Sequence, residues 1–67
     1  MKLTYHAEGH DYTAAREDDG RVVMTVDDGA SARGYLAGDI VRFPKGIMID
    51  SEIIMMLRLP KEIVASL

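Results

Sequence analysis

Glu17-Asp18-Asp19-Gly20-Arg21-Val22-Val23-Met24-Thr25-Val26-Asp27-Asp28-Gly29 holds two Asp-Asp-Gly triplets nine positions apart, with one β-branched run between them. Asp-Gly flanked by such runs is a strong short-range signal for a hairpin. A type I′ turn needs positive φ at both central residues, which glycine adopts freely and aspartate tolerates better than most residues. The stretch therefore predicts one strand bounded by two chain reversals.

Working outward, Leu3, Tyr5 and Ala7 alternate with Lys2, Thr4, His6 and Glu8, the period of a half-buried strand. Gly9-His10 is the expected first turn. Strands two to four are placed at residues 11–18, 21–27 and 30–36, and a shorter fifth at 39–43 after Ala37-Gly38. With two-residue turns at Gly9-His10, Asp19-Gly20 and Asp28-Gly29, Tyr5 opposes Ala14, Ala14 opposes Thr25, and Thr25 opposes Ala32. One face then collects Leu3, Tyr5, Ala7, Tyr12, Ala14, Val23, Thr25, Ala30, Ala32 and Leu36, and is the expected core face. The other carries Val22, Met24 and Val26 beside Tyr35, an apolar stripe that needs a cover. A one-residue slip in register exchanges the faces.

Beyond Pro44-Lys45-Gly46, a turn signal, the chain is apolar. Within 52–59, Ile53, Ile54 and Leu57 fit a helical stripe, while Ile53, Met55, Leu57 and Leu59 fit strand alternation almost as well; helix is the favoured reading. Pro60 opens a second short helix with Ile63, Val64 and Leu67 on one side. The fold class is α+β: an antiparallel β-meander of four to five strands with one or two short C-terminal helices, forming a single small domain over 1–67. Met55-Met56-Leu57-Arg58-Leu59-Pro60-Lys61-Glu62-Ile63 resembles the strand-to-helix junction of ribbon-helix-helix repressors. The chain stops before a second helix of that kind, so the repressor function is not carried over.

A 67-residue chain buries only about 60% of the surface its unfolded form exposes. Cysteine is absent, which removes disulfides, thiolate metal sites and cysteine nucleophiles. No stretch reaches the roughly 20 apolar residues of a membrane span, and the N-terminus lacks a signal-peptide core, so the expected address is the cytoplasm.

Net charge is −3, unevenly spread. Residues 1–39 hold eight acids against four bases, giving −4, and the rest three acids against four bases, giving +1. No basic patch is evident in the sequence, which disfavours direct nucleic-acid binding. His6 and His10 are the only histidines; strand alternation sends His6 and Glu8 to one face and leaves His10 in a turn, so neither a metal nor another cofactor is expected. Neither Ser31 nor Ser51 has a nucleophile context, and the glycines punctuate turns rather than cradle a phosphate. An enzyme is not expected.

The acidic turns are the best functional clue. Alternate turns of a meander share an end, which gathers Glu8, Asp11, Asp27 and Asp28 at one edge and Glu17, Asp18, Asp19 and Asp39 at the other. Tips roughly 10 Å apart lie near a Debye length of about 8 Å, so each end acts as a joint negative patch. The sequence thus predicts a non-enzymatic protein-binding module whose partner has a basic surface. Its candidate contacts are Glu17, Asp18, Asp19, Asp27 and Asp28 with an apolar anchor of Val22, Met24 and Tyr35. The sharpest form is an acidic inhibitor or adaptor occupying a nucleic-acid-binding surface, by analogy of size and charge with phage-encoded nucleic-acid mimics such as anti-CRISPR proteins. The alternatives are a homo-oligomer, a homodimer in its simplest form, that buries the apolar sheet face, and a small-ligand or metal-binding module around His6 and His10.

Overall fold

Five reversals punctuate the chain and lay six strands side by side in sequence order, all antiparallel. The computed structural model describes every residue from Met1 to Leu67. Its elements are β1 (Lys2–Ala7), β2 (His10–Arg16), β3 (Val22–Val26), β4 (Ser31–Ala37), β5 (Ile40–Ile49), β6 (Glu52–Arg58) and α1 (Lys61–Ser66). The meander and the C-terminal helix are as expected. The strand count is six rather than four to five, and residues 52–58 are strand, not helix. A helix there would point Ile54 and Leu57 inward but leave the edge of β5 that faces away from β4 without a partner. The hairpin pairs that backbone and still buries both side chains in part.

The turns decide which side of each strand faces the core. Glu8-Gly9, rather than Gly9-His10, makes the first turn, with φ of 53° and 80° and Ala7 opposite His10. Both Asp-Asp-Gly triplets are three-residue loops. Glu17 N–H donates to Arg21 O at 2.7 Å around Asp18-Asp19-Gly20, and Val26 N–H donates to Ala30 O at 2.9 Å around Asp27-Asp28-Gly29. Each extra residue shifts register by one, and one step exchanges the faces of a strand. The two shifts cancel from β4 onward, so β3 alone is inverted. Ala14 opposes Met24, and Met24 opposes Ala32.

Val22, Met24 and Val26 therefore point into the core, where Val22 and Met24 are fully buried. Val23 and Thr25 turn outward. The predicted exposed Val22-Met24 anchor does not exist. Large β-branched and flexible side chains fill the interior, and the smaller Thr25 reaches Ser31 across the outer face through a 3.3 Å hydroxyl contact.

The sheet is folded over on itself at β4. The first part of that strand, Ser31–Gly34, pairs with β3, and the last part, Tyr35–Ala37, pairs with β5. Gly34 is the pivot. A Cβ built on it would lie 2.5 Å from Val41 Cγ1 and 2.7 Å from Arg42 O, so only glycine lets β5 cross so near. The curl brings β2 and β3 opposite β5, and the core forms between them from Tyr12, Ala14, Val22, Met24, Val26, Val41, Phe43, Ile47 and Ile49. Leu59 and Ile63, from the tail and α1, complete it.

Strand β5 carries a bulge. Arg42 opposes Met56 and Ile47 opposes Ile54, with Pro44-Lys45-Gly46 looped out between. Proline is tolerated there because the bulge needs no ladder donor from it. Gly46 adopts φ of +74°, and a Cβ on it would collide with Ile53 Cγ2. The bulge both ends the β4–β5 pairing and lays Ile53 and Met55 across the outer surface. No helix is long and apolar enough to cross a membrane.

Candidate functional site

Because alternate turns share an end, the β1–β2, β3–β4 and β5–β6 connections lie together. Curling of the sheet adds a contact that the sequence did not suggest. His10 bridges all three connections: Nδ1 donates to Asp27 Oδ2 at 2.6 Å, and Nε2 donates to Asp50 Oδ2 at 2.9 Å. Carboxylates against both ring nitrogens require both to be donors, so His10 is an imidazolium here. Its pKa is raised from 6.5 to about 9, chiefly by the hydrogen bond to Asp27 and then by that to Asp50. The Asp27 carboxyl is held below its usual range by the Asp11 backbone N–H, which donates to it at 2.8 Å, and by His10. His6 and Asp11 pair through Nδ1 and Oδ1 at 2.8 Å.

This end thus collects Glu8, Asp11, Asp27, Asp28, Asp50 and Glu52 around the two histidines. Glu8, Asp28 and Glu52 have no ion-pair partner and are exposed. The predicted edge of Glu8, Asp11, Asp27 and Asp28 is assembled as expected, but its charge is partly cancelled from within.

The opposite end differs more from expectation. Glu17 forms an ion pair with Arg33, including an Nη2–Oε2 contact of 3.1 Å. Asp19 contacts Arg21 Nε at 3.3 Å and caps the Arg21 backbone N–H at 3.0 Å. Asp39 lies 3.7 Å from Arg58 Nε. Among the acids expected here, only Asp18 lacks a cationic neighbour. The joint negative patch predicted from Glu17, Asp18, Asp19 and Asp39 is largely neutralised, because the three-residue loop, the β4 register and the β5–β6 register bring Arg21, Arg33 and Arg58 beside the acids.

Tyr35 is exposed on the outer face as expected, with the Arg21 guanidinium 5.5 Å from its ring centroid. It is on the opposite face of the sheet from Val22 and Met24, which point inward. The exposed apolar surface is elsewhere. Met48 on β5 faces Ile53 on β6, and Met55 and Met56 follow; all four are exposed, Ile53 at 64%. Strand alternation in Ile53-Ile54-Met55 was the sequence signal for this face, and the competing helical stripe hid it. The patch borders the acidic end, since Ile49 opposes Glu52 and Asp50-Ser51 close the same hairpin.

No group of three or more His, Cys, Asp or Glu side chains stands in position to hold a metal ion. His6 is engaged by Asp11, and His10 by Asp27 and Asp50. No protein-family model matches the chain, nor does any curated protein or solved structure.

Proposed function

We propose that this chain is a non-enzymatic protein-binding module that docks on a basic surface of its partner. The observation that carries the reading is the junction of Met48, Ile53, Met55 and Met56, all exposed, with the unpaired carboxylates Glu8, Asp28 and Glu52. Exposed methionines make an adaptable contact surface, and isoleucine adds a rigid one. Desolvation of that patch supplies the affinity, while the acidic rim steers encounter and rejects acidic partners. Its sharpest form is an inhibitor that covers a surface normally used to track a phosphate backbone. That form rests on size and net acidity alone.

A second copy of the chain is the competing occupant of the same face, favoured by β6 being an edge strand with apolar side chains outward. Two variants separate the readings: Ile53→Ser with Met55→Ser, and Glu8→Lys with Asp28→Lys and Glu52→Lys. Capture from the native host at low and high salt is expected to yield a partner that either variant loses and that salt weakens. Capture indifferent to both variants rejects the proposal. A wild-type dimer in sedimentation that the Ile53 and Met55 changes dissolve assigns the face to self-association instead.

A further inference from the structure

The parting of β4 and β5 opens a cleft on the opposite, outer side of the pivot, and its lining is unlike the rest of this acidic chain. Arg21, Ser31, Ala32, Arg33, Tyr35, Pro44, Lys45 and Gly46 surround a cavity of about 380 Å³. Three of these residues are cations and none is acidic. Arg42, the register partner of Tyr35 and likewise exposed, stands next to it. Half of the eight basic residues of a chain with net charge −3 are therefore drawn to one place by the fold. The sequence shows no such patch because Arg21, Arg33, Arg42 and Lys45 are spread over three separate segments.

The charges are arranged for use. Arg33 spends Nε and Nη2 on Glu17, and Arg21 spends Nε on Asp19. A guanidinium has five N–H donors in a fixed fork, so each keeps several free while its carboxylate holds it in position. Lys45 and Arg42 have no carboxylate partner at all. Beside the cations lie the half-exposed Tyr35 ring and the Pro44 ring, with Ser31 at one side; Ala32, whose methyl faces the core opposite Met24, lines the cleft with its backbone. Oxyanion donors next to a flat apolar wall suit a ligand with both parts. The volume lies in the roughly 300–1,000 Å³ range of small-molecule sites, which favours a mononucleotide-sized ligand over a bare ion.

We infer that this cleft binds a small phosphorylated aromatic compound, a nucleoside monophosphate in class, with the phosphate on Arg33 and Lys45 and the flat ring against Tyr35. The site is on the outer face across β4–β5 and borders the Met48–Met56 surface at Gly46 and Arg42, but it uses different side chains and does not rest on the docking proposal.

The test is an NMR titration of the amide-labelled chain with adenosine monophosphate, adenosine, inorganic phosphate and a short oligothymidylate. Saturable shifts are expected with the monophosphate, centred on Arg33, Tyr35, Lys45 and Gly46. Adenosine and phosphate alone should each bind about tenfold or more weakly, since each keeps half the contacts. Lys45→Glu should weaken the monophosphate about tenfold or more, and Tyr35→Ala should narrow its advantage over phosphate. Lys45 is exposed and unpaired, so unchanged shifts outside the cleft will show that the variant is folded. The inference is overturned by non-saturating shifts with the monophosphate, by binding that Lys45→Glu leaves intact, by phosphate binding as tightly as the monophosphate, or by saturation with the oligonucleotide alone.

Discussion

His10 shows how much one side chain can set at a turn. Its ring fixes the β1–β2 connection to Asp27 and Asp50, which belong to hairpins 17 and 40 residues further along the chain. Because its folded pKa is about 9 against an ordinary 6.5, the folded state binds the proton more tightly than the unfolded one. The resulting stabilisation is complete below about pH 6.5 and disappears as pH rises through about 9. Asp27 acts in the opposite sense: its pKa is depressed, so its share is present above the ordinary 3.8 and is lost as pH falls through the lower folded value. The three-turn junction is thus tightest between those two limits. Urea midpoints should drop between pH 6 and pH 9 in the wild type, below the range where the raised Tyr5 and Tyr12 phenols begin to contribute, and the His10→Gln variant should lose that difference. A ring-proton titration midpoint near 6.5, or an equal drop in the variant, contradicts the assignment.

At the scale of elements, the sequence displayed its strands more clearly than its registers. Alternation in Lys2–Ala7 and the β-branched run Val22–Val26 located β1 and β3, and the Asp-Gly sites located the reversals around β3. What it concealed was loop length. An Asp-Asp-Gly triplet satisfies a two-residue I′ turn or a three-residue loop almost equally, and the choice is made by which face of β3 the core can fill. Val22, Met24 and Val26 outbid Val23 and Thr25 by apolar area, so tertiary packing decided the turn type. The β5–β6 hairpin was hidden for a different reason: its turn, Asp50-Ser51, contains no glycine. Both residues nevertheless take positive φ, 51° and 65°, and serine tolerates that region poorly. Ser51→Gly restores the favoured Asp-Gly pair at an exposed site and should raise stability by about 0.5–1 kcal/mol. A denaturation midpoint that falls instead would mean that the Ser51 hydroxyl supports the hairpin.

For the molecule as a whole, the decisive fact is that the sheet curls without closing, since β1 and β6 are both edges. What occupies the gap is α1, a helix of only six residues. In isolation such a helix is unstable, since those shorter than about 12–15 residues are marginal even with good formers. Pro60 supplies its start, with the Pro60 carbonyl accepting from the N–H groups of Ile63 and Val64 at 3.0 and 3.1 Å, and no side chain caps it. Its order therefore comes from Ile63, which is buried in the main core cluster, with Val64 and Leu67 packed alongside. Conversely, the core needs the helix: removing Ile63 would open the cluster beside Leu59 on the side where no strand can pair. Ile63→Ala should cost about 2–4 kcal/mol, comparable with the roughly 3–5 kcal/mol that a core of this size supplies. The variant is expected to populate the unfolded state even without denaturant. Ile63→Val, losing one methylene, should remain folded with a lower midpoint and an unchanged denaturant slope. If Ile63→Ala instead melts cooperatively within about 1 kcal/mol of wild type, the sheet closes its own core and α1 is an appendage.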